Sequence, residues 1–137
     1  MSEVTAAEKK SHFQNPGNVF INCSNHPSAV WCDAQRQAAQ VYGEIMDIQF
    51  PEIDPAWTTG QVQEEAERIC GEIVRSHPAA VMCQGEFTFT YALVRRLKEK
   101  GITVLAACSC RRTEEITAED GSTKKRVIFT FECFREY

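Results

Sequence analysis

From Val19 onward, short apolar runs of strand length alternate with stretches of helical period. Val19 to Ser24 predicts a first strand. Trp31, Ala34, Ala38 and Val41 then fall at helical spacing, with Ser28 placed as an N-cap and Gly43 just past the end. Ile45 to Phe50 predicts a second strand, and Pro51 to Gly60, with two prolines and Trp57, a loop. Val62, Ala66, Ile69 and Ile73 mark a second amphipathic helix that ends near Pro78, with His77 as punctuation at its end. Ala79 to Cys83 predicts a third strand. Phe89, Leu93 and Leu97 mark a third helix, whose Arg95, Arg96, Lys98 and Lys100 sit near its negative end, with Gly101 suited to the position after it. Ile102 to Cys108 predicts a fourth strand. Finally, Arg111 to Thr117 and Lys124 to Phe134 flank Asp120-Gly121, and Val127, Phe129, Phe131 and Cys133 alternate with more polar neighbours, which predicts a β-hairpin.

This order predicts a single α/β domain over residues 18–137. Right-handed crossovers favour a parallel sheet of order 2-1-3-4 with helices on both faces and the hairpin added beyond the fourth strand. Residues 1–17 are polar and aperiodic and end in Asn15-Pro16-Gly17, so they read as a mobile extension; His12 and Phe13 within it have no assigned role. A length of 137 residues suits one core rather than two.

Three strand ends then break into polar residues: Asn22-Cys23-Ser24-Asn25-His26-Pro27, Cys83-Gln84-Gly85-Glu86-Phe87-Thr88 and Cys108-Ser109-Cys110-Arg111-Arg112. In an open α/β sheet, ligands bind beyond the carboxyl ends of the strands where strand order reverses. Here that point lies between strands 1 and 3, so the three junctions describe a crevice for an anionic ligand with hydrogen-bonding edges.

Within the crevice, the Gln84–Thr88 turn offers free amides at a helix start, and Gly85 permits close backbone approach; taken alone, an ordinary turn capped by Thr88 is the favoured reading of this loop. Asn25 and His26 suit a base or ribose, and His26 a proton near neutral pH; turn chemistry before Pro27 is the plain alternative. Arg111 and Arg112 suit phosphate, but alternation along a strand lets only one of them face the ligand. Glu86 suits a general base, a reader of a donor edge, or a partner for one of these arginines.

A net charge of −4 argues against a nucleic-acid coat, and no segment has membrane-spanning length, so the expected location is the cytosol, with no long nucleic acid and no membrane among the partners. Thiols stay reduced there, and seven cysteines without a C-x-x-C pair or a spaced His pair read as structural, with no metal and no cofactor implied. A thiol- or histidine-dependent enzyme, using Cys23, Cys83 or Cys108 as nucleophile and His26 as base, is the alternative from a different class. A pure interaction module working through the hairpin edge is a third.

Phe20 to Ser28 with Trp31 and Gln35, Tyr42-Gly43 through Phe50-Pro51, Gln84 to Val94, and Gly101 to Arg111 resemble a family of small CRISPR-associated accessory proteins of prokaryotic type III systems. These are Rossmann-like proteins related to CARF (CRISPR-associated Rossmann fold) domains. The resemblance covers Asn18 to Tyr137. It implies binding of a cyclic oligoadenylate, most often cyclic tetra-adenylate, by a homodimer or a higher assembly, with the ring either held or opened without metal. By motif match, Ser24, Asn25, His26, Gln84, Gly85, Glu86, Thr88, Ser109, Arg111 and Arg112 inherit the ligand-binding role. No catalytic signature carries over; His26 and Arg111 are the candidates for chemistry.

Overall fold

The computed structural model describes residues 19–137, and the polar extension read over residues 1–17 lies outside them. The elements are β1 (Val19–Ser24), a 3-10 turn (Ser28–Val30), α1 (Asp33–Gln40), β2 (Glu44–Asp47), α2 (Thr59–Arg75), β3 (Ala80–Gln84), α3 (Phe87–Glu99), β4 (Val104–Thr117) and β5 (Thr123–Glu136). They build one five-stranded sheet of order β2-β1-β3-β4-β5. The β1–β2, β1–β3 and β3–β4 pairings are parallel, and β4–β5 is antiparallel.

Both faces of the sheet are covered, because consecutive residues of a strand point to opposite sides. Ile21, Cys23, Val81, Cys83 and Val104 face α2 and α3, where they meet Ala66, Ile69, Ile73, Phe89, Leu93 and Leu97. Phe20, Ala80, Met82 and Leu105 face the other way, toward Trp31, Ala39, Tyr42 and Phe134. The second layer is thin. α1 has only eight residues, and aromatic rings complete it: Phe20 lies 6.2 Å from Trp31 and 5.2 Å from Phe134, centroid to centroid.

Local chemistry fixes the helix ends. A reciprocal capping box of Thr58 and Gln61 starts α2. At the end of α3, Gly101 takes φ +77°; its N–H bonds Lys98 O while Ile102 N–H bonds Leu97 O, the Schellman arrangement. His77 follows α2 in the left-handed region at φ +47°, in keeping with its reading as helix-end punctuation.

Three expectations are corrected. The first helix starts at Asp33; Ser28 opens the 3-10 turn instead, and Val41 lies beyond the helix, exposed. The cause is Trp31, which is pulled into the core against Phe20 while its Nε1 donates to His26 O, holding the chain extended through Cys32 before the helix can start. The second strand ends at Asp47 rather than Phe50, because the Asp47 carboxylate turns back to accept from Ser28 N–H and Asn22 Nδ2. The fourth strand and the first hairpin strand are one element of fourteen residues. No Gly or Pro interrupts the chain between Gly101 and Gly121, so the pleat runs on into the expected turn at Asp120-Gly121, where Asp120 Oδ1 accepts from Ser122 N–H and Gly121 takes φ +81°.

β4 pairs with β3 at Val81↔Val104 and Met82↔Leu105, then diverges from it. The remainder of β4 and most of β5 form a two-stranded arm that extends past the sheet and is largely exposed.

Candidate functional site

The loop after β1 is organised by Asn22, a polar residue buried in the strand (1% exposed). Its Nδ2 donates to His26 O at 2.9 Å and Asp47 Oδ1 at 3.2 Å, and Ser24 Oγ lies 2.7 Å from its Oδ1. Ser24 Oγ also accepts from His26 N–H at 3.3 Å, and Trp31 Nε1 donates to His26 O at 3.2 Å. The His26 backbone is thus gripped from several sides while its imidazole is left at the surface. Asn22, Asp47 and Trp31 set this loop, and Ser24 is committed to it, with its hydroxyl buried.

At the end of β3 the helix cap is Glu86, correcting the reading of Thr88 as the cap. The Glu86 carboxylate accepts from Phe89 N–H at 2.7 Å, and Thr88 Oγ1 donates to it. The hydrogen bond from the Phe89 amide, then that from Thr88, hold the Glu86 carboxyl below its ordinary range. The Glu86 carboxylate already sits at this helix start and takes the Phe89 amide before any external anion arrives. Glu86→Ala is expected to lower stability at neutral pH by about 1 kcal/mol. A depressed carboxyl contributes above its unfolded pKa and loses that contribution as pH falls through the folded value. The two proteins should therefore converge in urea midpoint in acid, and a gap that stays constant down to pH 2 would count against the cap.

Gly85 is explained by the protein itself. A Cβ there would overlap the Phe50 ring, which stacks at 5.2 Å edge-on against Phe89. The close approach foreseen at Gly85 is made by Phe50. Gln84 Oε1 accepts from Ala107 N–H and bridges β3 to β4 where the ladder has opened, which leaves Nε2 as its remaining polar group. Tyr137 Oη donates to Cys83 O at 2.6 Å and closes the same gap from the other side.

The expected crevice is therefore divided. Ser24 and Asn25 border a recess of about 380 Å³ with Asp47 and Glu52, an acidic setting. Glu86 and Thr88 border one of about 570 Å³ toward Trp57, Phe87, Tyr91 and Arg95. His26, Gln84 and Ser109 do meet, in a recess of about 590 Å³ walled by Trp31 and Gln35 on one side and by Phe129 and Phe131 of the arm on the other. Register places Arg111 opposite Phe129 and Ser109 opposite Phe131, so Arg111 shares the face that borders this recess, while Arg112, opposite Ile128, points to the reverse face. The sequence reading missed the aromatic wall. Its signal was the alternation of Val127, Phe129 and Phe131, which marks a hairpin without revealing what the hairpin covers.

Cys23 and Cys83 sit side by side in the β1–β3 ladder, both fully buried. Hydrogen bonding to Cys23 and burial push the Cys83 thiol well up, the reverse of an activated nucleophile. Among the described residues no group of three or more His, Cys, Asp or Glu side chains is placed to hold a metal ion, and no helix is long and apolar enough to cross a membrane.

No curated protein matches this chain. Residues 18–135 match the Uncharacterized protein MJ1673 family, and the chain belongs to that family.

Proposed function

We propose that the protein binds a cyclic oligoadenylate, with cyclic tetra-adenylate the favoured ring, as an accessory protein of type III CRISPR defence. One observation carries the reading. The recess at the end of β3, where β4 diverges from it, combines aromatic walls, Trp31 against Phe129 and Phe131, with the amides of Gln35 and Gln84, the Ser109 hydroxyl and the His26 imidazole. Flat apolar faces with a few amide groups suit a purine, whose edge pairs with a carboxamide and whose face stacks for roughly 1–3 kcal/mol per base. The volume is within the usual range for small-molecule sites. Arg111, on the same face of the arm, supplies a guanidinium for the adjoining phosphate. The resemblance of Ser24-Asn25-His26-Pro27-Ser28 and of Gly85-Glu86-Phe87-Thr88 to the CRISPR-associated proteins is what favours this particular nucleotide. A homodimer would present two copies of the recess and match the symmetry of a ring.

Binding without efficient cleavage is the better reading of the chemistry. The recess holds one imidazole, that of His26, and no lysine lines it. Contacts made equally to ground state and transition state would lower free messenger without accelerating ring opening. Calorimetry against rings of different size should show saturable binding with a preference for one of them, and no measurable heat with any ring would overturn the proposal. Chromatography of the ligand after incubation in EDTA should recover it mostly intact. Many turnovers per site, lost in His26→Ala with binding retained, would replace sequestration with catalysis.

A further inference from the structure

The outer edge of β5 is an unpaired edge of the sheet on the arm side. Among the described residues β5 pairs with β4 alone, over thirteen register positions. An isolated two-stranded ribbon is marginally stable in water, and its free edge is a template for another strand. Phe129 is 68% exposed and Val127 43% exposed on this ribbon, on the face they share with Phe131.

We propose that β5 pairs with β5 of a second copy, antiparallel, about a two-fold axis at Phe129. The sequence itself singles out this register. With Phe129 opposite its own copy, Val127 opposes Phe131, Ile128 opposes Thr130, and Arg126 falls opposite Glu132, the extra residue where β5 bulges against Cys108 and Ser109. Apolar residues meet apolar residues on one face, and opposite charges meet on the other, twice over by symmetry. Arg126 pairs with Glu114 at 3.2 Å while remaining largely exposed, and Glu132 lies beside Cys110, whose thiol it pushes up, so both charges lie on the face opposite Phe129. Centring on Ile128 instead would set Lys125 against Phe131, and centring on Thr130 would set Lys125 against Arg135. A shift by a single residue would turn the apolar row of one copy to the other's reverse face.

This pairing joins two sheets into one of ten strands and sets both Trp31–Phe129 recesses on the same side of it, flanking the axis. It does not depend on what the recess binds, since the free edge and the order of residues along it belong to the chain alone. Light scattering of the full chain without ligand should give twice the 15.5 kDa protomer mass. Phe129→Glu, which opposes two carboxylates on the axis, should weaken the dimer at least about a hundredfold while the near-ultraviolet circular dichroism is kept. Should that variant unfold, charge reversal decides. Glu132→Arg should weaken the dimer, and Arg126→Glu with Glu132→Arg should restore it. A Phe129→Cys, Cys133→Ser protein should form a 129–129 disulfide on mild oxidation. A monomer at every concentration would overturn the proposal, as would a dimer indifferent to Phe129→Glu and to charge reversal.

Discussion

Asn22→Asp is expected to destabilise the protein by about 4 kcal/mol at pH 7 and to recover most of that loss on acidification. The size follows from burial. A fully buried carboxyl is raised by roughly 3–5 pKa units, each worth about 1.4 kcal/mol. Asn22 is 1% exposed, and its Nδ2 lies 3.2 Å from an Asp47 carboxylate oxygen and 2.9 Å from the His26 carbonyl, so an ionised side chain there would face acceptors only. The sign is that of a raised group. The folded state binds the proton more tightly than the unfolded chain, so stability is retained below the ordinary aspartate pKa of about 3.9 and declines as pH rises toward the folded value. Asn22→Ala is the control. It loses the same hydrogen bonds without introducing a charge, for about 1–3 kcal/mol. Urea denaturation of both variants between pH 4 and 8 is the measurement. A loss in Asn22→Asp that does not vary with pH would show that the site admits water freely.

Arg111→Ala is expected to reduce affinity for a cyclic oligoadenylate by about 10²–10⁴-fold with little change in stability. A hydrogen bond to a charged partner contributes about 1.5–3 kcal/mol, and in a symmetric dimer one substitution removes two of them. Arg111 is exposed, so its removal leaves the core intact. Arg112→Ala is the internal comparison, because register turns Arg112 to the reverse face beside Ile128. It should alter affinity only through long-range charge, by a few-fold, and that change should vanish in high salt. Equal losses from the two substitutions would mean that the arm does not present a single face to the ligand. Calorimetry of both variants in low and high salt separates these outcomes.

Much of the architecture was legible because periodicity reports burial. Val62, Ala66, Ile69 and Ile73 are all buried, as are Phe89, Leu93 and Leu97, and right-handed crossovers left little choice of strand order. Gly101 and Asp120-Gly121 carried their backbone conformations in their identities. What could not be read depended on partners distant in the chain. Ser28 has the local chemistry of a cap, yet the helix start is set by Trp31 packing on Phe20 and Phe134. Gly85 carried a signal of close approach, but nothing nearby in sequence said that Phe50 makes it. At the site, the meeting of His26, Gln84 and Ser109 followed from the strand ends. The separation of Ser24, Asn25, Glu86 and Thr88 into other recesses did not, because it is the side-chain hydrogen bonds of Asn22 and Glu86 that commit those groups elsewhere.

The short β3–β4 ladder has a mechanical meaning. The arm is fastened by two register positions, by the side-chain bridges from Gln84 and Tyr137, and by Phe134, which packs on Phe20 and Trp31; beyond these points β4 and β5 pair only with each other. With few buried apolar residues beyond Phe134, the arm is expected to open at lower free energy than the rest of the sheet unfolds, which hydrogen exchange of its amides would show. Phe129 and Phe131 are carried by the arm while Trp31 and His26 belong to the core, so any bending of the arm would change the width of the recess. A molecule seated between them would act as a latch, converting its own binding energy into arrest of the arm.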